Sequence, residues 1–263
     1  MTAHEQAAQR LIEAEATHVA CEPIADLLPN GTVDDGYQVQ QRVIELTRAG
    51  SRQVGRKIGL TSPAVQRQMG VATPDFGVLF ADMACGDSEP VPASRLMQPR
   101  VEAEVAFVLG RDLPDRPVIA SDVLRATDFV IAAIEIVDSR IKDWRISILD
   151  TVADNASSGM FVLGGAPRRL SAIDDLRAAE MTLVSDGTTL SSGTGAACLG
   201  HPINAVVWLA NAVVERGVPL RAGEVILSGS LGPLVTVERG KTYEASISGL
   251  GSVRATFESG DAS

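Results

Sequence analysis

The sequence predicts an α+β fold, a helical N-terminal portion fused to a β-rich mixed α/β domain. Three observations predict it. The first part carries helix-start signals and apolar residues at helical spacing. From about Glu102 onward the longest apolar runs read as strands. From Val225 the chain breaks into short strands and turns.

The elements follow in order. Thr2 and Glu5 form a capping-box pattern before a helix rich in Ala, Leu and Ile. Thr32 and Asp35 repeat it with Asp for Glu, ahead of GYQVQQRVIELTRAG, where Val39, Val43, Leu46 and Thr47 share one stripe. Ser62-Pro63 opens a short helix that Gly70 closes. VEAEVAFVLG, from Val101, and FVIAAIEIV, from Phe129, are largely apolar on both faces and belong in the middle of a sheet. EMTLVSDGTTLSSG is a hairpin with Asp186-Gly187 at its turn. HPINAVVWLANAVVERG is a helix with Pro202 early and Gly217 past its end. The expected division is residues 1–70 as the helical portion and 71–263 as a β-rich catalytic domain, with one shared core.

Composition removes several function classes. The 263 residues carry a formal net charge of -10 and no run of Lys or Arg, which argues against nucleic acid or an anionic membrane as partner. Cys21, Cys85 and Cys198 lack zinc spacing and are too few for a disulfide scaffold, so a reduced, cytoplasmic setting is expected. MTAHEQAAQRLIEAEA is acidic and has no signal-peptide core, and FVIAAIEIV is too short to span a bilayer. GSLG at Ser230 is not a nucleophile elbow, and GTGAAC completes no dinucleotide fingerprint. His4, His18 and His201 are scattered, so an imidazole zinc site is not expected and His201 reads as a helix-start residue.

The acids carry more information. On a strand Glu102 and Glu104 point the same way, roughly 7 Å apart. Two like charges at that spacing repel by about 2 kcal/mol at an effective dielectric near 20. Glu135 stands as the one acid among eight apolar residues of FVIAAIEIV, where a lone carboxylate is costly unless paired or metal-bound. Three glutamates without nearby histidines suit a hard divalent cation, Mg²⁺ or Mn²⁺. The plainer alternative pairs them with arginines or leaves them wet at strand ends. Lys57, in VGRKIGL, shares its strand face with Gly55 and Gly59, which clears space for a ligand-binding amine; a solvated edge lysine is the competing reading. Asp75, in ATPDFGVLF, reads on its own as a turn aspartate.

GRKIGLTS, MGVATPDFGVLFADM, VEAEVAFVLGRDL, IEIVDSRI, DTVADNASSGMFVLGG and LGHPINAVVWLAN occur in that order, and over roughly Asp35 to Phe257 the chain resembles the 2-hydroxypenta-2,4-dienoate (2-keto-4-pentenoate) hydratases of the fumarylacetoacetate hydrolase superfamily. The resemblance implies a fumarylacetoacetate-hydrolase-like roll with a divalent metal on Glu102, Glu104 and Glu135, and Lys57 and Asp75 as catalytic residues. It implies that Ser158, or its neighbour Ser157, binds substrate. The implied reaction adds water to 2-hydroxypenta-2,4-dienoate or an alkyl homologue in meta-cleavage catabolism of aromatic or steroid rings. A homo-oligomeric ring is implied too, with room for a complex with a downstream aldolase or a partner decarboxylase. A 2-oxo-3-enoate decarboxylase is the nearest alternative, with Arg56 or Arg140 free to hold its second carboxylate. An acylpyruvate C–C hydrolase and a non-catalytic metal-stabilised oligomer are more distant ones.

Overall fold

Two antiparallel strands, β5 (Arg100–Leu109) and β6 (Thr127–Val137), run side by side at the middle of the main sheet. The computed structural model describes residues 1–62, 66 and 73–259. Among the described residues that sheet has eight strands. Along it lie β2 (Asp75–Phe80), β1 (Gln53–Gly59), β10 (Val225–Ser230), β5, β6, β7 (Ser158–Leu163) and β3 (Ala84–Cys85), with β11 (Val235–Thr236) also on β5. A second sheet of five strands orders β4 (Pro90–Val91), β13 (Gly251–Phe257), β12 (Thr242–Ile247), β8 (Glu180–Ser185) and β9 (Thr188–Thr194). The β8–β9 hairpin turns at Asp186 and Gly187, both left-handed at φ 48° and 74°, as a two-residue turn with Asp-Gly requires.

The main core joins the two sheets. Val101, Ala103, Val105 and Phe107 of β5 and Ile134 and Ile136 of β6 pack there with Leu183, Tyr243 and Val253. Burying each large side chain stabilises the fold by about 1.5–3 kcal/mol. Helix α5 (Pro202–Val214) packs Ala205, Val206, Leu209, Ala210 and Val213 into the same core. His201 starts that helix: its Nδ1 accepts the Ile203 N–H at 3.1 Å. The short helix α3 (Ala120–Ala126) lies beside α5.

Helices α1 (Ala3–Thr17), α2 (Val33–Thr47) and α4 (Ile148–Ala153) enclose a smaller core of Ala7, Leu11, Ile24, Val39, Leu149 and Ala153. The capping boxes at Thr2 and Thr32 both form, and Ser147 with Asp150 forms a third at α4. The buried face of α2 differs from the expected stripe. Gly36, Val39 and Gln40 are inside, whereas Leu46 is 50% exposed and Thr47 is exposed. The Gln40 amide donates to the carbonyls of Phe76 at 3.1 Å and Val152 at 2.9 Å, which turns that face inward. The helical layer ends at Thr47, and β1 already lies in the main sheet between β2 and β10, so a boundary at residue 70 does not separate helices from strands. The helix expected from Ser62-Pro63 to Gly70 falls mainly outside the described residues.

Candidate active site

Register brings the acids together. Glu102 on β5 stands directly opposite Glu135 on β6, and Glu104 pairs with Ala133 one step along the same face. One carboxylate oxygen from each of the three lies within 4.8 Å of the other two. Glu104 and Glu135 are buried at 0% and 1% exposure. Glu104 Oε2 accepts the Gly229 N–H at 2.8 Å, while among the described residues Glu104 Oε1 and Glu135 Oε2 meet no hydrogen-bond donor. Like charges opposed across a ladder destabilise a sheet, and orphaned buried carboxylate oxygens cost more still. A hard divalent cation removes both penalties, and an all-oxygen donor set is the chemistry such an ion takes.

Lys57, on β1, reaches the same cluster: its Nζ is 2.8 Å from Glu135 Oε1. Burial alone would lower its pKa, but the charges of Glu135, Asp75 and Glu102 outweigh that and hold it above the ordinary lysine value. Burial, reinforced by the Glu135 charge, pushes the Glu102 carboxyl up to about 8. Burial and the Glu135 and Glu102 charges raise Glu104 well above the carboxylate range. Without a cation, then, this face holds protons that ionic ligands would give up.

Asp75 begins β2 opposite Gly59. It is buried at 1% exposure, and burial lifts its pKa despite the opposing charge of Lys57. Its Oδ2 accepts from the Thr151 hydroxyl at 3.2 Å, and Thr151 Oγ1 is 3.4 Å from Ser157 Oγ. The glycines flanking Lys57 do not leave empty space. Asp75 Oδ1 occupies the position a side chain at residue 59 would need, and a Cβ at Gly55 would strike the Val225 backbone. Across the ladder from Lys57, a Cβ at Gly77 would approach Ser158 Oγ to 2.6 Å. Glycine here lets the aspartate and the serine close in on the lysine.

Ser158, the first residue of β7, donates its hydroxyl to the Asn155 carbonyl at 2.7 Å. Asn155 in turn brackets the Val78 backbone, accepting its N–H at 2.8 Å and donating to its carbonyl at 2.9 Å. Thus Lys57, Asp75, Ser157, Ser158 and the three glutamates gather on one side of the main sheet. Of the arginines considered for a second carboxylate, Arg56 points to the other face, 5.8 Å over the Phe76 ring. Arg140 is fully engaged with Asp154 and the Ser158 carbonyl. Sequence reading missed Thr151, Asn155, Gly77 and Gly229. Gly77 had a usable signal, a glycine inside the strand pattern DFGVLF. Thr151 and Asn155 share the DTVADNASSG run with the serines, but only the tertiary fold aims them at β2.

The fumarylacetoacetate hydrolase C-terminal family model matches residues 47–258, and the chain belongs to that family. It is 56% identical over 251 residues to the 2-keto-4-pentenoate hydratase of Burkholderia vietnamiensis, covering 95% of each chain. To the 2-hydroxyhexa-2,4-dienoate hydratase of Comamonas testosteroni it is 45% identical, again over 95% of each. Among solved structures, the 4-oxalocrotonate decarboxylase of Pseudomonas putida G7, complexed with magnesium and adipate, superposes with a TM-score of 0.91 at 36% identity, covering 96% of both chains.

Proposed function

We propose that this protein is a hydro-lyase that adds water to 2-hydroxypenta-2,4-dienoate or a close alkyl homologue, giving a 4-hydroxy-2-oxo acid. The observation that carries this reading is the buried acid cluster facing Lys57 and Asp75, in a chain 56% identical to a 2-keto-4-pentenoate hydratase. Glu102, Glu104 and Glu135 would hold Mg²⁺ or Mn²⁺. Bound there, the ion supplies a Lewis acid for the substrate's carboxylate and 2-oxygen.

The side chains around it move protons. The 2-hydroxyl loses its proton while C5 gains one, which leaves an α,β-unsaturated 2-oxo acid. Water then adds at C4 and a proton returns to C3. Lys57, held as an ammonium by its acidic neighbours, is the donor of this pair. Asp75, whose carboxyl is lifted by burial, is the acceptor, steadied by Thr151. Ser158 and Ser157 orient the substrate. The decarboxylase alternative needs a place for a second carboxylate, and Arg56 lies over the Phe76 ring on the other face of β1 while Arg140 is held by Asp154. Assembly as a homo-oligomer and a place in the catabolism of aromatic or steroid ring-cleavage products complete the reading.

The test is loss of the dienoate's ultraviolet absorbance with protein and Mg²⁺, with product mass and carbon dioxide followed together. A 4-hydroxy-2-oxo acid carrying ¹⁸O at C4 from labelled water is expected. Stoichiometric carbon dioxide from 2-oxohexenedioate, with no hydration of the pentadienoate, would move the protein to the decarboxylases.

A further inference from the structure

Asn155, Ala156 and Ser157 are all left-handed, with φ of 54°, 51° and 54°, and none is glycine. Asparagine tolerates this region, but Ala156 and Ser157 each cost roughly 1–2 kcal/mol there, so the run persists only where its surroundings impose it. The turn links α4 to β7 and carries the Ser157 and Ser158 hydroxyls. Packing holds one side of it, since Ala156 and Ser157 are buried and the Asn155 amide is bonded to the Val78 backbone, whereas a cavity of about 40 Å³, lined in part by Glu15, Arg48, Arg140, Asp154 and Ser158, borders the other.

On the cavity side the turn is tied at both ends by Arg140. Its Nε donates to Asp154 Oδ1 at 2.5 Å, its Nη2 to the Asp154 carbonyl at 2.8 Å and its Nη1 to the Ser158 carbonyl at 3.0 Å. Its backbone N–H donates to Asp154 Oδ2 at 3.0 Å. One planar guanidinium therefore grips the residue before the left-handed run and the residue after it. A fork of fixed geometry can set that separation, whereas a lysine, a single point donor, cannot.

We propose that Arg140 is a positioning residue, which by spanning Asp154 and Ser158 holds the left-handed turn that seats Ser157 beside Thr151 and Ser158 against Gly77. The proposal rests on the reading of Ser157 and Ser158 as substrate-orienting groups, and it acts through them. Arg140 itself touches no substrate.

The experiment uses the full-length protein loaded with Mg²⁺ and compares Arg140→Lys, Ala156→Gly and the double variant. Arg140→Lys should lower kcat/KM for the dienoate about 10²-fold, the scale of a site displaced by about an ångström. KM should carry much of the loss, and Mg²⁺ affinity should stay within about twofold of the parent. Ala156→Gly alone should leave kcat/KM near the parent. In the Arg140→Lys background it should recover roughly tenfold, because glycine removes a left-handed penalty the clamp no longer offsets. A residue that merely supported the fold, or bound substrate directly, would not be rescued by a glycine it does not contact. If Arg140→Lys fails to fold, Asp154→Asn with and without Ala156→Gly asks the same question with a milder loss.

Hydrogen exchange of the peptide spanning 154–160 reads the turn without turnover. Its amides include Ser157 N–H on the Asp154 carbonyl at 2.9 Å, and exchange should quicken in Arg140→Lys and slow again in the double variant. Parent protein inactive on every dienoate would overturn the hydratase reading, and the exchange data would still decide the clamp. Unchanged exchange in Arg140→Lys, no rescue by Ala156→Gly, or loss of Mg²⁺ affinity in step with kcat/KM would each overturn the clamp.

Discussion

The two faces of β5 and β6 are made from alternate residues of the same strands, yet they obey opposite rules. One face presents Val101, Ala103, Val105, Ile134 and Ile136 to the second sheet. The other presents Glu102, Glu104 and Glu135, with Ala106 and Ala133 continuing beside them into a small apolar cluster with Phe161 and Leu227. The first face stabilises the chain by burial alone. The second is as deeply buried at Glu104 and Glu135 but gathers like charges, so it lowers stability until a cation joins it. Strand alternation lets one pair of strands supply both stability and chemistry, and the two contributions should separate under mutation.

The largest separation is expected at Glu104→Gln. The change keeps size and removes one charge. Activity should fall by about 10³-fold or more, the scale on which a preorganised electrostatic group acts. The metal-free protein should become more stable at alkaline pH, where the acids of this face ionise and the variant relieves their repulsion. Chelator should abolish parent activity, and Mg²⁺ or Mn²⁺ should restore it. Parent-like turnover in thoroughly metal-stripped protein would break the comparison outright.

Next come Lys57→Ala and Asp75→Asn. Each should reduce turnover by about 10²-fold, as loss of a positioned acid or base does, with the fold and Mg²⁺ binding retained. Borohydride added with substrate should trap no adduct at Lys57, because a Lewis acid on the acid cluster makes a Schiff base unnecessary. Wild-type rates in both variants would remove them from the chemistry and leave a face that only binds metal.

How much of this was legible in the sequence differs between the same two regions. The acids stood out because strand periodicity is local: Glu102 and Glu104 share a face by alternation, and Glu135 is isolated in an apolar run. That β5 and β6 would adjoin, with Glu102 opposite Glu135, is a matter of register between distant segments and had to be observed. The α2 stripe was misjudged at Leu46 and Thr47 because a buried amide, Gln40, sets that helix's rotation. The left-handed turn at Asn155–Ser157 was invisible for a plain reason. None of its residues is a glycine, and the guanidinium that spans its two ends lies outside the run, at Arg140.

A titration sharpens the comparison with a smaller effect. In the metal-free protein Glu102 has a pKa near 8 against an ordinary 4.5. A carboxyl raised on folding contributes stability fully below the unfolded value, and the contribution is lost as pH rises through the folded one. Metal-free protein should therefore lose stability from pH about 4.5 to about 8, and Mg²⁺ should offset that loss by replacing protons. The gap in Tm between Mg²⁺-loaded and metal-free protein should widen from pH 5 to pH 8. Apparent Mg²⁺ affinity should strengthen over the same window. A gap that narrows as pH rises would mean that this face does not release protons to bind the ion.

The smallest effect tests the apolar face beside the acids. Ile134 is fully buried, pairs with Ala103 and precedes Glu135 in the chain while pointing the opposite way. Ile134→Val removes one methylene from the main core. The cost should be about 1 kcal/mol, the usual range for that deletion in a packed interior. For a chain of this length that is roughly 2–4 °C in Tm. Because the methylene lost faces the second sheet, kcat, KM and Mg²⁺ affinity should stay within about twofold of the parent. Adjacency in sequence makes the test demanding, since Ile134 and Glu135 share a peptide bond. A tenfold loss of Mg²⁺ affinity with the expected loss of stability would show that the backbone of β6 transmits core packing to the acid cluster. The two faces would then be one mechanical unit rather than two independent surfaces.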